Sequence, residues 1–322
     1  MNATHRAVAC ASVGGIAPIT LCIGTVGIDE VETPYSHVTN LLGGSASYFA
    51  AAAGVVGAPT QLVSVIGDDF PEEFAATLGA SGADVAGLAR LPGQCFRWGG
   101  RYHSDWNERD TTYTDLNVLA QFDPVLPDHF REARYVFLAN TDPKLQAKAL
   151  DQVRDPELVI IDSMNLWIDT ERDSLIAAMG EVDCVILNDG EARQLTGEAT
   201  LTRAARAIAS YGPRIVVIKR GEYGAALFTE GGFFGVPGYP LEEVFDPTGA
   251  GDSFAGGFVG YLAATGQSDP DLEHLRRAVA YGSIVASFNV EEFGTERVRR
   301  LTRDEVEQRV AAFHAMTSFT LI

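Results

Sequence analysis

The stretch FDPTGAGDSFAGGFVG, residues 245–260, puts a cluster of small residues directly before an aspartate at the start of a predicted helix. Free N–H groups at a helix start point towards an anion, and the helix dipole attracts it. Gly249, Ala250 and Gly251 therefore predict an anion site, with Asp252 at its edge. Asp252 is open to two interpretations: a first-turn aspartate that the dipole stabilises, or a base beside a bound phosphate.

The same helix is unusually rich in glycine. Gly256, Gly257 and Gly260 each cost the helix roughly 1 kcal/mol relative to alanine. We therefore expect another group to approach the backbone of this helix closely.

The composition limits the partners of the chain. Its 322 residues carry a formal net charge of -19, and 46% of them are hydrophobic, which is enough for a packed core. An acidic chain is a poor partner for nucleic acid. No apolar run reaches the roughly 18 to 20 residues that a membrane span needs. A phosphate-bearing ligand would have to be met by local backbone dipoles, a few arginines and a metal ion.

The cysteines and the N-terminal region bear on localisation. Cys10, Cys22, Cys95 and Cys184 form no C-x-x-C pair, which favours reduced, mostly buried thiols in a cytoplasmic protein. We interpret residues 1–17 as a loose N-terminal extension. A signal peptide is the alternative, because Arg6 precedes an apolar segment.

Short apolar runs alternate with helical patterns along most of the chain. Runs rich in β-branched residues predict strands at 20–26, 61–67, 135–140, 158–163, 184–189 and 214–220. Helical patterns occupy 45–56, 71–81, 143–153, 201–211, 249–265, 270–289 and 302–315. This alternation predicts an α/β fold with a doubly wound, mainly parallel sheet flanked by helices. No linker divides the chain, so we expect a single domain over residues 1–322.

Two segments interrupt the alternation. Residues 30–38 and 85–118 have the polar and aromatic alternation of strands without intervening helices, which predicts a small antiparallel β lid over the ligand cleft. A dimerisation sheet or plain edge structure is the alternative, so a homodimer is compatible with this pattern. The side chains of Arg97, Trp98, Arg101 and Trp106 either cover a ligand or pack within this segment.

Common phosphate-binding motifs are absent from the sequence. A P-loop needs a lysine directly after a glycine. The lysines of this chain each follow a residue other than glycine: Lys144, Lys148 and Lys219. The dinucleotide fingerprint would need a third glycine where Phe254 stands. The cluster at 249–252 is therefore best interpreted as a cradle of backbone N–H groups for a transferred phosphoryl group, with Asp252 accepting the proton of the attacking hydroxyl.

Three motifs in consistent order resemble the ribokinase family, also called PfkB-type carbohydrate kinases. DPTGAGDSFAGGF (246–258) is similar to the C-terminal signature of that family, and LGGSASYFAAAAGVVGAPTQLVSVIGDDF (42–70) to its substrate-side signature. NDGE (188–191) fits its N-x-x-E motif. The resemblance covers roughly residues 19 to 315 and implies a ribokinase-like fold with a β lid over the substrate.

The resemblance also implies roles at the nucleotide side of the site. Asp252 would be the catalytic base, and Gly249, Ala250 and Gly251 the anion hole. Asn188 and Glu191 would organise Mg²⁺ through water, although Glu191 also suits a helix start. ATP would be held where a predicted strand ends, at a set of residues that could equally be a solvated strand end: Lys219, Arg220, Gly221 and Gly224. Asp246 and Thr248 match positions that hold a monovalent cation such as K⁺ in some members.

Other residues would bind the substrate that accepts the phosphoryl group. Asp29 matches the aspartate with which the family binds its substrate, although an aspartate is also common in a turn at a strand end. Gly43 and Gly44 would let the backbone approach the substrate. Ribokinases carry asparagines where this chain has Gly27 and Tyr48, which argues against ribose. Asn140 and Asn165, at or beyond strand ends, are further candidates that loop structure also explains, and so is Arg101 on the lid.

The sequence thus predicts an ATP-dependent, Mg²⁺-requiring kinase that phosphorylates a hydroxyl of a sugar or polyol. A nucleoside kinase of the same family is the first alternative, because lid aromatics could stack on a base. A catalytically silent nucleotide-binding regulator is the second, and the intact GAGD and N-x-x-E motifs argue against it. A two-carboxylate glycosidase is a distant third.

Overall fold

The computed structural model describes residues 19–320. The predictions made for residues 1–17, including the signal-peptide alternative and the state of Cys10, lie outside the described residues. Within them, Cys22, Cys95 and Cys184 are buried free thiols. No helix among the described residues has the length and apolar character needed to cross a bilayer.

The described chain contains thirteen strands and ten α-helices. The strands are β1 (Thr20–Ile23), β2 (Gly27–Glu32), β3 (His37–Gly43), β4 (Thr60–Ile66), β5 (Asp84–Arg90), β6 (Phe96–Tyr102), β7 (Arg109–Asp115), β8 (Tyr135–Leu138), β9 (Leu158–Asp162), β10 (Cys184–Asn188), β11 (Ile215–Lys219), β12 (Ala225–Thr229) and β13 (Gly232–Val236). The helices are α1 (Ser45–Val55), α2 (Glu72–Ala80), α3 (Pro143–Leu150), α4 (Asn165–Thr170), α5 (Arg172–Met179), α6 (Asp189–Thr196), α7 (Leu201–Ala209), α8 (Ala250–Ala264), α9 (Leu272–Asn289) and α10 (Arg303–Thr317).

The large sheet confirms the predicted α/β class. Its nine strands run in the order β13-β12-β11-β10-β9-β8-β1-β4-β5, and all neighbouring pairs from β11 to β5 are parallel. The six strands predicted from apolar runs all lie inside it, because both faces of these strands are covered by helices. The antiparallel hairpin β12–β13 at one edge was not predicted.

A second, four-stranded sheet has the order β3-β2-β6-β7. The pairs β2–β3 and β6–β7 are antiparallel, and the central pair β2–β6 is parallel. The lid boundaries predicted as 85–118 are wrong at the start, because β5 pairs in parallel with β4 in the large sheet. The sequence pattern places β5 in the lid because no helical pattern separates this strand from the strands that follow it.

Helix packing explains the glycines of α8. A Cβ on Gly256 would lie 2.5 Å from the Cβ of Ala52 on α1, and one on Gly260 would lie 2.4 Å from a methyl carbon of Val56. On another side of α8, a Cβ on Gly257 would lie 2.9 Å from the carbonyl oxygen of Tyr281 on α9. The close approach expected from the sequence is therefore that of two neighbouring helices.

Candidate active site

The candidate site lies where the parallel strands of the large sheet end, beneath the four-stranded sheet. Two cavities meet there, and they share five lining residues: Arg109, Asn140, Met164, Gly249 and Asp252. We call the smaller one the acceptor cavity and the larger one the nucleotide cleft. A group bound in one cavity would meet a group bound in the other beside Asp252, as a transfer reaction requires.

The predicted cradle lies at the start of α8. Gly249 is the N-cap residue, in the left-handed conformation with φ 73°, which suits glycine. Within residues 19–320, the N–H groups of Gly249 and Gly251 have no hydrogen-bond acceptor, whereas the Ala250 N–H donates to the carbonyl of Pro247 at 3.1 Å. Two of the cradle N–H groups are thus available to an anion, and the third is already engaged.

Asp252 follows in the first turn of α8 and lines both cavities. Burial and the nearby carboxylate of Asp162 raise its pKa to about 7, although the charges of Lys219 and Arg109 oppose this shift. A carboxylate with a pKa near neutrality can accept a proton at physiological pH and release it again. Perturbation of this kind is frequent at functional sites.

An ion pair that the sequence did not predict crosses the floor of the nucleotide cleft. Lys219, at the end of β11, donates to Asp162, at the end of β9, with 2.7 Å between Nζ and Oδ2. Both side chains are largely buried, with 14% and 4% of their surface exposed. Burial opposes the charge on Lys219, but Asp162 and Glu191 outweigh it and raise the pKa of the ammonium.

Asn188 and Glu191 form a reciprocal capping box at the start of α6. The Glu191 N–H donates to Asn188 Oδ1 at 2.8 Å, and the Asn188 N–H donates to Glu191 Oε2 at 2.7 Å. Burial and the charge of Asp162 raise the pKa of Glu191 to about 7. The N-x-x-E motif therefore has a structural role here besides the metal role that the resemblance implies.

The donor set fits a Mg²⁺ ion that is held mainly by phosphates. Glu191 keeps one carboxylate oxygen that the capping box does not use, and Mg²⁺ is commonly bound through one or two carboxylates together with substrate phosphates. No group of three or more His, Cys, Asp and Glu residues within 19–320 could hold a metal by itself.

The loop before α8 is organised by Asp246 and Thr248. Asp246 is fully buried, and its two carboxylate oxygens accept hydrogen bonds from the N–H groups of Thr248 at 2.8 Å and Gly294 at 2.9 Å. The Thr248 carbonyl accepts one from Asn289 at 2.7 Å. The monovalent-cation role of Asp246 and Thr248 stays a prediction, and the geometry gives them a part in shaping the cradle.

Asp29 lies at the polar end of the acceptor cavity. A Cβ on Gly43 would lie 2.0 Å from the carboxylate carbon of Asp29, so only glycine leaves room for this side chain. Burial, followed by the charge of Asp246, raises the pKa of Asp29 to about 8. Gly44, with φ 91°, lines the same cavity.

Much of the lining of the acceptor cavity is apolar. Besides Tyr48, seven of its lining residues are aromatic, aliphatic or thioether side chains: Phe96, Trp98, Leu116, Leu119, Met164, Leu166 and Trp167. Tyr48 also lines the cavity, is 1% exposed, and has a hydroxyl without a hydrogen-bond partner among the described residues. Asn140 lies at the junction with the nucleotide cleft, and its Oδ1 is likewise unpartnered within the described chain.

The remaining predicted residues divide into two groups. Asn165, Gly221 and Gly224 line the nucleotide cleft. Arg101 and Arg220 line neither of the two cavities, so their predicted contacts are not supported. Arg101 instead pairs with Glu32 at 2.8 Å on an exposed part of the small sheet.

Arg109 is the lid arginine that the sequence analysis missed. It lines both cavities, and its guanidinium lies 5.0 Å from the ring centroid of Trp98. A bulge between Gly99 and Gly100 changes the register of β6 and β7, so sequence alternation alone could not show which arginine faces the cleft. Asp162 was also missed, although its place at the end of a predicted buried strand was a usable signal.

Comparison with known proteins is consistent with this geometry. The family model described as pfkB family carbohydrate kinase matches residues 11–300. The chain belongs to the pfkB carbohydrate kinase family. It is 32% identical over 244 residues to the cytidine kinase of Thermococcus kodakarensis, and the aligned region covers 74% of this chain and 86% of that protein.

Two further proteins extend the comparison. The nucleoside kinase of Methanothermobacter thermautotrophicus is 28% identical over 272 residues, covering 83% of this chain and 84% of that protein. The structure of Arabidopsis thaliana ribokinase complexed with ribose and ATP superposes with a TM-score of 0.72 at 20% identity, covering 92% of this chain and 99% of that one. The chain therefore has the same fold as this ribokinase.

Proposed function

We propose that this protein is an ATP-dependent nucleoside kinase that phosphorylates the 5′-hydroxyl of a ribonucleoside. The observation that carries the proposal is the acceptor cavity, whose lining combines a buried carboxylate, Asp29, with Asp252 and with several apolar and aromatic side chains. Membership of the pfkB carbohydrate kinase family supports a phosphotransferase that acts on a hydroxyl group.

The composition of the acceptor cavity favours a nucleoside over a free sugar or polyol. A free sugar has polar groups on all sides, and it would leave Leu119, Leu166 and Trp167 without a matching surface. A nucleobase supplies a flat, largely apolar face of the kind that such a lining buries. The similarity to the cytidine and nucleoside kinases points the same way. The alternative weighed in the sequence analysis thus becomes the preferred function.

Asp29 determines which hydroxyl reacts. A carboxylate can accept hydrogen bonds from two neighbouring hydroxyls at once, and the 2′- and 3′-hydroxyls of ribose are such a pair. If Asp29 holds this pair, the remaining ribose hydroxyl is the 5′-hydroxyl, which is then free to reach Asp252 at the junction of the cavities.

In the proposed reaction, the Asp252 carboxylate takes the proton of the 5′-hydroxyl while the hydroxyl oxygen bonds to the γ-phosphorus of ATP. The bond between that phosphorus and the β–γ bridging oxygen breaks, and ADP leaves. The N–H groups of Gly249 and Gly251 donate to the oxygens of the transferred group, on which negative charge is held. Glu191 is the carboxylate suited to hold Mg²⁺, which would neutralise phosphate charge when bound.

A panel of acceptors tests the proposal. With ATP and Mg²⁺, the purified protein should phosphorylate at least one of cytidine, adenosine and inosine far better than ribose, fructose or myo-inositol. Burial of about 100 Å² of apolar base surface would contribute about 2.5 kcal/mol, or roughly 70-fold in kcat/KM. The matching 5′-deoxynucleoside should bind as a competitive inhibitor. Phosphorylation of a free sugar or polyol in preference to every nucleoside would contradict the proposal.

A further inference from the structure

The buried pair of Lys219 and Asp162 has no role in the transfer step described above, although the family resemblance implies that Lys219 helps to hold ATP. The two residues end strands β11 and β9, which lie on either side of β10. Taking two charges out of water costs free energy that their mutual attraction often only balances, so stability alone is a weak reason for such a pair. Its position in the nucleotide cleft instead indicates a role towards the bound nucleotide.

Gly251 connects this pair to the anion cradle. A Cβ on Gly251 would lie 2.9 Å from Lys219 Nζ and 3.6 Å from its Cε. Gly251 is not among the glycines with positive φ, so the backbone conformation does not demand glycine there. The Lys219 ammonium instead fills the space that a Cβ would take, so it lies close to the backbone of Gly251, whose N–H has no acceptor among the described residues.

The acidic side chains around the Lys219 ammonium call for a positive charge at a fixed position when ATP binds. Asp162, Glu191 and Asp252 are all acidic and all line the nucleotide cleft, into which the phosphates of ATP would bring more negative charge. Lys219 provides positive charge from the large sheet itself, whereas Arg109 comes from the lid. An ammonium has three N–H donors, and the bond to Asp162 uses one of them.

We propose that Lys219 is a catalytic residue that donates to an oxygen of the transferred phosphoryl group, and that Asp162 is the positioning residue that holds its ammonium over Gly251. This inference rests on the proposed kinase function and deepens it. One N–H stays on Asp162 during the reaction, and the other two are free for the phosphoryl oxygens. The chain thereby places at the end of a β-strand the lysine that a P-loop would place after a glycine.

Two alternative roles for the pair lead to different expected results. Asp162 could itself be a Mg²⁺ ligand, with Lys219 only balancing its charge in the absence of metal. The pair could instead be purely structural, holding β9 and β11 at a fixed separation. In the first case the loss of Asp162 raises the Mg²⁺ requirement, and in the second the loss of either residue lowers stability but not turnover.

The test compares four variants: Lys219→Met, Lys219→Arg, Asp162→Asn and the double variant Lys219→Met/Asp162→Asn. The double variant leaves no unpaired buried charge, so it keeps the test valid if a single variant fails to fold. Arg214→Met is the matched control, because it removes one positive charge at the other end of the same strand, where Arg214 pairs with Asp183 and Asp269. Thermal melts show whether each variant is folded.

Nucleotide binding gives the decisive readout, with ADP and the β,γ-imido analogue of ATP as probes. Lys219→Met should weaken binding of the analogue at least about tenfold while changing ADP affinity less than about threefold, since only the analogue carries the γ-phosphoryl group. Its kcat should fall about 10² to 10³-fold, the usual effect of losing one donor to a developing oxyanion. Lys219→Arg should recover part of this loss, and the double variant should lose no more than Lys219→Met, because Asp162 acts through Lys219.

Three results would overturn the inference: equal weakening of ADP and analogue, kcat within about threefold of wild type in folded Lys219→Met, or a Mg²⁺ requirement raised about tenfold or more in Asp162→Asn alone. The binding comparison needs no acceptor. If no nucleoside is phosphorylated, the proposed function fails, and the role of Lys219 at the γ-phosphoryl group is still tested separately.

Discussion

The ring of Tyr48 lies directly against the backbone of Gly249, where a Cβ would be only 2.2 Å from Tyr48 Cδ1. Tyr48 belongs to α1, on the acceptor side, and Gly249 is the N-cap of the helix that forms the anion cradle. The Tyr48 ring, which lines the acceptor cavity, therefore restricts where the backbone of Gly249 can lie at the start of α8. Any side chain at position 249 would have to displace either the tyrosine or the cradle.

Gly249→Ala should lower kcat by at least about 100-fold, comparable with the loss of an oxyanion donor. Gly266→Ala is the matched control, because Gly266 also has a positive φ of 68° but has nothing within 4 Å of its Cβ position among the described residues. Both variants carry the backbone strain, and only Gly249→Ala meets Tyr48. Equal kcat values in steady-state assays of the two variants would show that the Tyr48 contact does not matter for turnover.

Activity should depend on two carboxylates with raised pKa values. Burial, followed by the charge of Asp162, puts the pKa of Asp252 at about 7, and burial with Asp246 puts that of Asp29 at about 8. Both groups are proposed to act as carboxylates, so protonation on the acid side should lower kcat/KM for the acceptor. A plot of log kcat/KM against pH should have a slope near one between these two pKa values, and the slope should approach two below pH of about 7.

Asp29→Asn should remove one unit of that slope, because only Asp252 would then titrate. Steady-state kinetics from pH 5.5 to 9 with a fixed nucleoside would measure this. A wild-type profile that is flat down to pH of about 5 would mean that neither carboxylate must lose a proton in this range.

Turnover should require Mg²⁺, and chelation with excess EDTA should abolish it. Glu191→Gln should raise the Mg²⁺ concentration for half-maximal activity by about tenfold or more, because the amide is a weaker metal ligand. A glutamine oxygen can still accept the Asn188 N–H, so the capping box should survive. Glu305→Gln, in the capping box of α10, controls for the change of charge at a helix start and should leave the Mg²⁺ requirement unchanged. Full activity in EDTA would refute the metal assignment.

The loop between β6 and β7 of the predicted lid touches the far side of the nucleotide cleft through Asn107. Its Nδ2 donates to Glu222 Oε1 at 3.3 Å, and its Oδ1 accepts from the Glu222 N–H at 3.4 Å. Asn107→Ala should weaken closure, so the amides of β6 and β7 should exchange hydrogen faster in the presence of nucleoside and ATP analogue, and KM should rise about three- to tenfold.

Glu32→Gln is the control for the lid, since it breaks only the exposed pair with Arg101. Hydrogen-exchange mass spectrometry of both variants measures closure directly. If substrates do not protect β6 and β7 in the wild-type protein, the four-stranded sheet is structural and the lid prediction is wrong.

The sequence predicts those parts of the fold and site that depend on local pattern. The cradle and Asp252 are contiguous in the chain, and the buried strands are apolar runs, so both were identifiable. The pair of Lys219 and Asp162 was not, because its members come from strands separated by β10 and are 57 residues apart. Such contacts depend on strand order, which the sequence pattern does not contain.

Side-chain direction in the lid was predictable only in part. Arg101 and Arg109 both lie on lid strands, and the bulge at Gly99 and Gly100 contributes to the register that places Arg109 at the cleft and Arg101 outside. Strand β5 pairs with β4 in the large sheet, although no helix separates it from β6 in the chain. Both errors concern strand pairing and register, which the local sequence pattern does not specify.

The kinetics of Asp252→Asn test the central claim most directly. Asparagine keeps the size of the side chain but cannot take the proton, so kcat should fall about 10² to 10⁴-fold while ATP affinity stays near normal or tightens slightly. Thermal melts should show a folded protein of equal or greater stability, because a carboxylate with raised pKa is lost. A folded variant that retains more than about a tenth of the wild-type kcat with its preferred nucleoside would contradict the assignment of Asp252 as the base.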